Sequence, residues 1–250
     1  MTKVKAIIQA RMSSRRLPGK VLLPLGDDVV LGHVIRRLIK CSLIDEVLVA
    51  TSGHASDDPI EKYCDAREVR CFRGDLDDVL ARYYFAATEA SCDHVVRITA
   101  DCPLIDPIIV DAVVMGHLAG GYDYFGLGGD FPDGLDCAVL SYSALKRTHE
   151  EATLHSDREH VCPFIERGAD ATFKVGYLKL FYGMQSLRLT LDEREDYELL
   201  SHLFDVAFAN EQPNAAEVIS YLQSESWVGK INSHIIRNEG YLHSLERDSN

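Results

Sequence analysis

The first half of the chain alternates short apolar runs with segments of helical periodicity. The apolar runs are typical of buried parallel strands, and the segments between them place apolar residues three and four positions apart. The predicted strands are Val4–Ala10, Glu46–Thr51, Val69–Phe72 and His94–Thr99, and the predicted helices are Leu31–Cys41, Asp58–Ala66, Leu76–Ala90 and Pro107–Leu118. This alternation predicts right-handed crossovers and an α/β sheet with helices on both faces.

The second half is less regular. Residues Gly120–Asp136 are rich in turn residues, which indicates a functional loop or a change of sheet direction. Further strands are predicted at Ala138–Ser141, Thr172–Leu180 and Leu187–Leu191, and further helices at Ser143–Ala152, Asp157–Arg167, Arg194–Ala209 and Asn214–Leu222. The pattern predicts one mixed-sheet domain over residues 1–225 and a peripheral C-terminal tail over 226–250.

Composition places the chain among ordinary globular proteins. Its 250 residues are 46% hydrophobic and 26% charged. No run approaches the roughly 18–20 apolar residues that cross a bilayer, and the N-terminus lacks a signal-peptide pattern. The seven cysteines have no C-x-x-C spacing, which argues against a disulfide framework and a zinc site. We therefore expect a cytoplasmic protein without a membrane partner.

Charge is distributed unevenly along the chain. The formal net charge is −13, yet residues 1–40 hold nine Lys/Arg against two Asp, which leaves +7 there and −20 elsewhere. Because an acidic body repels a nucleic-acid backbone, we expect no nucleic-acid partner. A small polyanion that binds the basic segment is compatible with this distribution.

The basic segment follows the first predicted strand, in the sequence IIQARMSSRRLPGKVL (residues 7–22). Open α/β sheets bind ligands at the carboxyl ends of their strands, where this segment begins. Backbone N–H groups, arginine forks and a lysine can together bind phosphate oxygens, and Gly19 permits close approach of the backbone. A solvated basic loop is the alternative. The spacing fits neither a Walker loop nor the G-x-G-x-x-G fingerprint.

Two carboxylates follow predicted strands at the same edge. Asp101 lies just beyond His94–Thr99, and Asp106 is better placed to cap the next helix, which leaves Asp101 free. Asp192 follows Leu187–Leu191 in the same way. If these strands are neighbours, the two carboxylates repel unless a cation intervenes, which predicts one Mg²⁺ site. From the residues alone, a purely structural role is the alternative for each.

These stretches together resemble the cytidylyltransferases that activate acidic sugars. Residues Ala10–Lys20 fit the A-R-x-x-S-x-R-L-P-G-K signature of 3-deoxy-manno-octulosonate cytidylyltransferases. The spore coat polysaccharide biosynthesis protein F-like branch, which is related to CMP-sialic acid synthetases, is the most similar. The resemblance spans roughly residues 4–210 and is carried by an ordered series of motifs: IIQARMSSRRLPGKVL, RGDLDDVLARY, RITADCPLIDP, PDGLD, REHVCPFI and LTLDEREDYEL.

The resemblance implies a Rossmann-like nucleotide-diphospho-sugar transferase fold, CTP as nucleotide donor, Mg²⁺ as cofactor and a homodimer. The nucleotide-binding residues that it implies are Gln9, Ala10, Arg11, Ser14, Arg16, Lys20, Thr51, Ser52, Arg73 and Asp75. The metal ligands that it implies are Asp101 and Asp192, and the acceptor-binding residues are Asp136, Glu159 and His160. We expect Lys20, Arg16 and Asp101 to be the catalytic residues.

The expected reaction is the transfer of CMP from CTP to a hydroxyl of an acidic sugar, with release of pyrophosphate. One alternative is a glycosyltransferase on the same fold, but its usual D-x-D motif follows a strand, whereas Asp75–Asp78 begin a predicted helix. The other is a non-catalytic nucleotide-binding regulator, which needs no paired metal carboxylates. The chain departs from its relatives at Cys137, Ala138, Cys162 and Phe164, all on the acceptor side. The sequence therefore does not identify the acceptor.

Overall fold

A seven-stranded sheet organises the described part of this computed structural model, which comprises residues 2–168, 172–209 and 211–249. Its strands and those of a separate small hairpin (β2 and β3) are β1 (Val4–Gln9), β2 (Pro24–Leu25), β3 (Asp28–Val29), β4 (Glu46–Ser52), β5 (Arg70–Gly74), β6 (His94–Thr99), β7 (Tyr124–Gly128), β8 (Ala138–Ser141) and β9 (Val175–Lys179). The order in the main sheet is β5-β4-β1-β6-β8-β7-β9. Only β8 runs antiparallel to its neighbours, so the predicted mixed, mostly parallel sheet is confirmed.

Helices connect the strands. They are α1 (Val30–Leu38), α2 (Asp58–Asp65), α3 (Val79–Glu89), α4 (Pro107–Gly120), α5 (Tyr142–Glu151), α6 (His155–His160), α7 (Pro163–Glu166), α8 (Arg194–His202), α9 (Ala215–Ser224), α10 (Ser226–Gly229) and α11 (Glu239–Asp248). The carboxylate of Asp106 accepts the backbone N–H of Ile108 at 2.8 Å and so caps α4 as expected. In the described ranges, no helix combines the length and apolarity that a membrane crossing requires.

Apolar side chains cover both faces of the sheet. Ala6 and Ile8 of β1 belong to one buried cluster, which includes residues of α1, α4 and α8, and Ile7 belongs to a second, which includes residues of α3 and α5. Successive strand residues point to opposite faces, so a strand of uninterrupted apolar residues is buried on both sides. Helices therefore lie on both faces, as the sequence predicts.

The segment Gly120–Asp136 is only partly a loop, because it contains β7. The sequence analysis did not predict this strand, because the glycines of the segment are typical of turns. In the structure these glycines have a packing role. A Cβ on Gly126 would lie 2.7 Å from the Tyr124 hydroxyl, and one on Gly128 would lie 2.9 Å from Cβ of Tyr177. The glycines thus make room for aromatic side chains. The predicted change of sheet direction does occur here, since β8 follows and runs antiparallel.

The predicted strand at Leu187–Leu191 is wrong. This segment joins no strand of the main sheet in the described ranges; Arg188 forms an isolated bridge with Asp133 instead. The Leu191 N–H donates to the Asp101 carbonyl at 2.9 Å. These contacts hold the segment beside the loop at Asp133 and the end of β6, so its apolar alternation reflects burial and not membership of the sheet.

Two predicted helices are shorter or interrupted. The segment Asp157–Arg167 is divided into α6 and α7 at Val161, whose φ of 72° is left-handed and ends an α-helix. The segment Arg194–Ala209 is α8 followed by a π-helical turn over Leu203–Ala207.

The final segment contributes two helices to the fold. We predicted residues 226–250 as a peripheral tail; the structure forms α10 and α11 there and packs α11 against α6. The hydroxyl of Ser244 in α11 donates to the Glu159 carboxylate at 2.7 Å. The domain boundary at residue 225 stays a prediction, but α11 contacts the helix that carries two predicted site residues.

Candidate active site

A cleft of about 830 Å³ opens at the carboxyl ends of β1 and β6. Strand ends are where an open α/β sheet binds ligands. The predicted site residues that line this cleft are Gln9, Ala10, Arg11, Ser14, Arg16, Lys20, Asp101, Asp136, Glu159, His160 and Asp192. Residues more than 180 positions apart in the sequence therefore meet in one place.

The basic loop, residues 10–20, is folded back on itself. The N–H of Gly19 donates to the Met12 carbonyl at 2.9 Å, and the N–H of Leu17 donates to the Ser14 hydroxyl at 3.3 Å. Gly19 has a φ of 73°, a left-handed conformation that glycine adopts at the least cost. These bonds direct the chain into a 3₁₀ turn at Lys20–Leu22, which points the Lys20 side chain into the cleft.

The ammonium group of Lys20 lies between two carboxylates. Its Nζ donates to Asp101 Oδ2 at 2.5 Å, to Asp192 Oδ1 at 2.7 Å and to the Leu191 carbonyl at 2.8 Å. All three protons of the ammonium are used, as a buried lysine requires. The carboxylate pair Asp101 and Asp192 therefore converges, as predicted, although one of the two strands expected to bring it together is absent.

The charges in this cluster fix the protonation of Asp192. Burial raises the pKa of this carboxyl, but the positive charges of Lys20, Arg16 and Arg188 outweigh burial and hold the pKa at about 2. For Lys20, burial lowers the pKa, and the two carboxylates outweigh it and raise the pKa above its ordinary value. The lysine is thus a cation and Asp192 an anion at neutral pH.

Arg188 is a buried site residue that the sequence analysis missed. Its guanidinium donates to Asp133 at 2.7 Å, to Asp192 at 3.1 Å and to Asp196 at 2.8 and 3.0 Å. Asp196 also accepts the backbone N–H of Asp192 at 2.8 Å. This bond helps to orient Asp192, the predicted metal ligand. The signal for this role was an arginine placed inside the apolar alternation LRLTL.

Arg16 is surrounded by carboxylates. Its guanidinium lies 3.0 Å from Asp192, 3.2 Å from Glu193 and 2.5 Å from Glu239 of α11. The positive charge of Arg16, a predicted triphosphate contact, is therefore neutralised by protein carboxylates in the free molecule. A bound polyanion must exchange with at least some of them.

The predicted acceptor side combines a histidine with two carboxylates, Asp136 and Glu159. His160 Nε2 lies 3.0 Å from the Ser244 hydroxyl, and burial lowers the pKa of His160 to about 4 although Glu159 opposes that shift. The imidazole is therefore neutral at neutral pH. Asp136 accepts the Gly134 N–H at 2.9 Å, and burial raises its pKa above the ordinary value.

Thr51 and Ser52, predicted to bind nucleotide, do not line the cleft. Both are fully buried, and their hydroxyls donate to Asp57 at 3.1 and 2.5 Å. The other oxygen of Asp57 accepts the N–H of Met12 at 2.8 Å. These residues thus anchor the start of the basic loop, and a direct nucleotide contact stays a prediction.

Arg73 and Asp75 also lie outside the cleft lining. Arg73 is paired with Asp58 and Glu61, at 2.7 Å each. Asp75 accepts the backbone N–H groups two and three residues further on, both at 2.8 Å, which forms the turn before α3. As nucleotide contacts these two residues stay predictions.

The donor set suits an ion that takes few protein ligands. In the described ranges, no group of three or more His, Cys, Asp or Glu side chains is arranged to hold a metal. Asp101 and Asp192 supply hard oxygens that are at most 5.2 Å apart, since they lie 2.5 and 2.7 Å from one nitrogen. Mg²⁺ is typically bound through one or two carboxylates plus phosphate oxygens and water. The pair fits Mg²⁺, which stays a prediction; in the structure the Lys20 ammonium bridges the two carboxylates.

Comparison with known proteins identifies the family. A family model for cytidylyltransferases matches residues 5–224. The chain belongs to the cytidylyltransferase family. The family predicted from the motifs is thus confirmed, and the protein is an enzyme rather than a non-catalytic nucleotide-binding regulator.

Relatives of this cytidylyltransferase agree in sequence and fold. It is 32% identical over 229 residues to spore coat polysaccharide biosynthesis protein SpsF of Bacillus subtilis, covering 89% of this chain and 95% of SpsF. A cytidylyltransferase structure from Leptospira borgpetersenii superposes with a TM-score of 0.87 at 32% identity, covering 95% of this chain and 100% of that chain. CMP:2-keto-3-deoxy-manno-octonic acid synthetase, solved with CTP, shares the fold at 16% identity, with a TM-score of 0.64 over 81% of this chain and 98% of that chain. The predicted nucleotide-diphospho-sugar transferase fold is confirmed.

Proposed function

We propose that this cytidylyltransferase is Mg²⁺-dependent and transfers CMP from CTP to an acidic sugar of the ulosonic type, releasing pyrophosphate. It would act in the cytoplasm, in the biosynthesis of a surface polysaccharide or glycan. The observation that carries the proposal is that Lys20, the last residue of the basic loop, places its ammonium between Asp101 and Asp192 in the cleft. The names of two relatives, SpsF and the CMP:2-keto-3-deoxy-manno-octonic acid synthetase, support a polysaccharide pathway and an acidic acceptor.

The reaction is an in-line nucleotidyl transfer. A hydroxyl oxygen of the acid forms a bond to the α-phosphorus of CTP, and the bond from that phosphorus to the β-phosphate oxygen breaks. The hydroxyl proton passes to solvent, and pyrophosphate leaves with the bond's electron pair. Because negative charge grows on the α-phosphate and the leaving group, positioning and electrostatic stabilisation are the main contributions of the protein.

The basic loop supplies the positive charge. Lys20 and Arg16 neutralise the triphosphate, with Arg11 and Ser14 as further contacts on the same cleft wall. Asp101 and Asp192 would hold Mg²⁺, which polarises the phosphate oxygens and neutralises their charge when bound. Arg188 holds Asp192 in place from the buried side, since it donates to that carboxylate and to its neighbour Asp196.

A pyrophosphate-release assay tests the proposal. The purified protein is incubated with CTP, Mg²⁺ and one acid of a panel that contains 3-deoxy-manno-octulosonate and nine-carbon ulosonic acids. We expect acid-dependent pyrophosphate release and a new CMP-linked product by mass spectrometry, with CTP bound more tightly than ATP in calorimetry. Absence of release with every acid, or equal binding of ATP, contradicts the proposal.

We also propose a homodimer. Strand β9 is at the edge of the main sheet, and Tyr177 on it and Tyr182 just after it expose 42% and 75% of their surface. An exposed apolar edge is a ready site for pairing with a second copy. Light scattering at micromolar concentration should give the dimer mass, and a monomer mass would refute the proposal.

A further inference from the structure

Arg97 is a cation that lines the cleft and has no partner among the residues that the structure describes. It lies on β6, its Nε is inaccessible to solvent, and this nitrogen has no hydrogen-bond partner. Within the described ranges, its guanidinium makes neither an ion pair nor a hydrogen bond. An unpaired buried polar group is costly, and natural proteins keep one where a ligand or water completes it.

The other buried or partly buried cations of the cleft differ in this respect. Lys20 and Arg188 are paired with carboxylates, and Arg11 lies 3.8 Å from Glu159. Arg82 donates to the backbone carbonyl of Asp75 at 2.8 Å. Among such cations in the part of the chain that the structure describes, Arg97 alone lacks a protein oxygen.

The strand register explains why Arg97 is unpaired. On β6, Val95 belongs to the apolar cluster beneath, and Arg97 and Thr99 follow it on the same face towards the cleft. On the neighbouring strand β8, the residue directly opposite Arg97 is Ala138, which offers no oxygen on its side chain. The sheet thus leaves a positive charge open to the cleft.

The surroundings of Arg97 are those of the acceptor side. The ionisable groups that act on it include Cys162 and Asp136, and His160 is also within its electrostatic reach. Asp136 is the anion of this set, and its carboxylate accepts from Gly134 and lies 3.8 Å from Arg237. The carboxylate of Asp136 makes no ion pair with Arg97 in the described ranges, and partial burial strengthens the attraction between the guanidinium and an incoming anion.

We propose that Arg97 binds the carboxylate of the acidic acceptor. The inference rests on the proposed function, to which it adds the residue that recognises the acid. A guanidinium presents two parallel N–H donors that match a carboxylate, and the single uncompensated charge of Arg97 matches a single negative charge. The same chemistry fits a phosphate oxygen of CTP, so the experiment separates the two sources.

The first experiment compares Arg97→Met with Arg97→Lys. KM is measured separately for CTP and for the acid that supports turnover, together with kcat, and the acid is compared with its neutral carboxamide. We expect Arg97→Met to raise the KM of the acid by about 10- to 100-fold, the cost of one charge-assisted hydrogen bond. The lysine variant should recover part of this loss, and the wild-type preference for acid over carboxamide should largely vanish in Arg97→Met.

Measurements of CTP affinity and a matched control variant show whether Arg97 binds the carboxylate of the acid or a phosphate of CTP. Calorimetric CTP affinity of Arg97→Met should stay within about threefold of the wild type. Arg70→Met removes the same charge from the exposed start of edge strand β5, at the end of the sheet opposite the cleft, and should leave both KM values nearly unchanged. If Arg97→Met weakens CTP instead of the acid, the guanidinium binds a phosphate and the acceptor assignment is overturned.

A second pair of variants does not remove Arg97. Residues directly opposite in an antiparallel pair have Cβ atoms about 4.5–5.5 Å apart, so Ala138→Glu brings a carboxylate to Arg97 from β8. We expect Ala138→Glu to raise the KM of the acid at least about tenfold, and Ala138→Gln, of equal size without charge, to raise it much less. Circular dichroism establishes that each variant is folded.

The outcomes distinguish this inference from the proposed function. Turnover by the wild type, together with unchanged KM for the acid in folded Arg97→Met, overturns the role of Arg97 and leaves the proposed function intact. Absence of turnover by the wild type with every acid overturns the proposed function and the inference with it. A selective loss of acid binding in Arg97→Met and Ala138→Glu supports both.

Discussion

The two ends of the cleft treat charge differently. At the nucleotide end, Lys20, Arg16 and Arg188 are each bound to two or more carboxylates. At the acceptor end, Arg97 has no partner among the described residues, and His160 is neutral at neutral pH because burial lowers its pKa to about 4. At the nucleotide end these cations are all held by carboxylates. At the acceptor end Glu159 and Asp136 have arginine partners, but Arg97 remains an unpaired cation among the described residues.

The difference suggests how each end binds its ligand. A triphosphate with Mg²⁺ brings both signs of charge, so it can replace the existing pairs one for one: phosphate for carboxylate on Lys20, and metal for ammonium on Asp101 and Asp192. An acid brings one sign only. It needs a cation that no protein group already neutralises.

Removing Lys20 should have the largest effect of any single substitution at the nucleotide end. Lys20→Met deletes the cation that neutralises growing charge on the phosphates, so we expect the rate of pyrophosphate release to fall by about 10²–10³. It also leaves two partly buried carboxylates facing each other, which should lower the free energy of unfolding by about 3 kcal/mol. Kinetic assays and urea unfolding measure the two effects.

Two controls accompany this variant. Lys62→Met removes a lysine from the exposed face of α2 and should change neither quantity appreciably. The double variant Lys20→Met/Asp192→Asn should be more stable than Lys20→Met alone, because one of the repelling charges is gone. Near-normal turnover of Lys20→Met would contradict the catalytic role of Lys20 and favour the alternative of a solvated basic loop.

Neutralising one carboxylate should cost about 10² in rate. Asp101→Asn and Asp192→Asn keep the shape of the side chains but weaken the bond to Mg²⁺. Pyrophosphate release measured against Mg²⁺ concentration should show a raised Mg²⁺ requirement in both. Glu198→Gln, on an exposed face of α8, is the matched control. An unaltered Mg²⁺ dependence in both variants would remove the carboxylate pair from the metal site.

The stability of these two variants should differ. Asp192 forms ion pairs with Lys20, Arg16 and Arg188, whereas among the described residues Asp101 forms one with Lys20 alone. Since the lysine already separates the carboxylates, replacing one with asparagine removes an attraction and does not relieve a repulsion. We therefore expect Asp192→Asn to lower the melting temperature more than Asp101→Asn, and neither to raise it.

Low pH should remove the contribution of the Asp192 carboxylate to the free energy of unfolding. Its pKa in the folded protein is held at about 2, below the ordinary 3.8 of the unfolded chain, so its contribution is present above about pH 4 and is lost as the pH falls towards 2. The difference in unfolding free energy between wild type and Asp192→Asn should shrink over this range by on the order of 2 kcal/mol. Urea unfolding at several pH values measures it, and a constant difference would contradict the charge network.

The sequence predicted which residues meet at the nucleotide end better than it predicted the structural elements that carry them. Asp101 and Asp192 were expected beside the basic loop, because the loop and each carboxylate follow a predicted strand. The predicted strands before the loop and before Asp101 are β1 and β6. The segment before Asp192 joins no strand of the main sheet in the described ranges and makes only an isolated bridge from Arg188 to Asp133. Alternation of apolar residues indicates an extended chain but does not say whether it pairs with a sheet.

The acceptor end was harder to predict because its features are non-local. Arg97 is unpaired because Ala138 lies opposite it on β8. This pairing is set by the register of two strands that are distant in the sequence. The position of α11 depends on its packing against α6, and no local pattern encodes that contact. The strand β7 was missed because glycines that accommodate aromatic neighbours read as turn residues.

A crystal structure of the protein with CTP and Mg²⁺ tests the central claim most directly. The account predicts the triphosphate against the basic loop, Lys20 Nζ on a phosphate oxygen, and the cation on Asp101 and Asp192. Arg97 should remain free of the nucleotide and bind the carboxylate once an acid is added. A triphosphate bound at Arg97, with Lys20 still between the two carboxylates, would contradict the account.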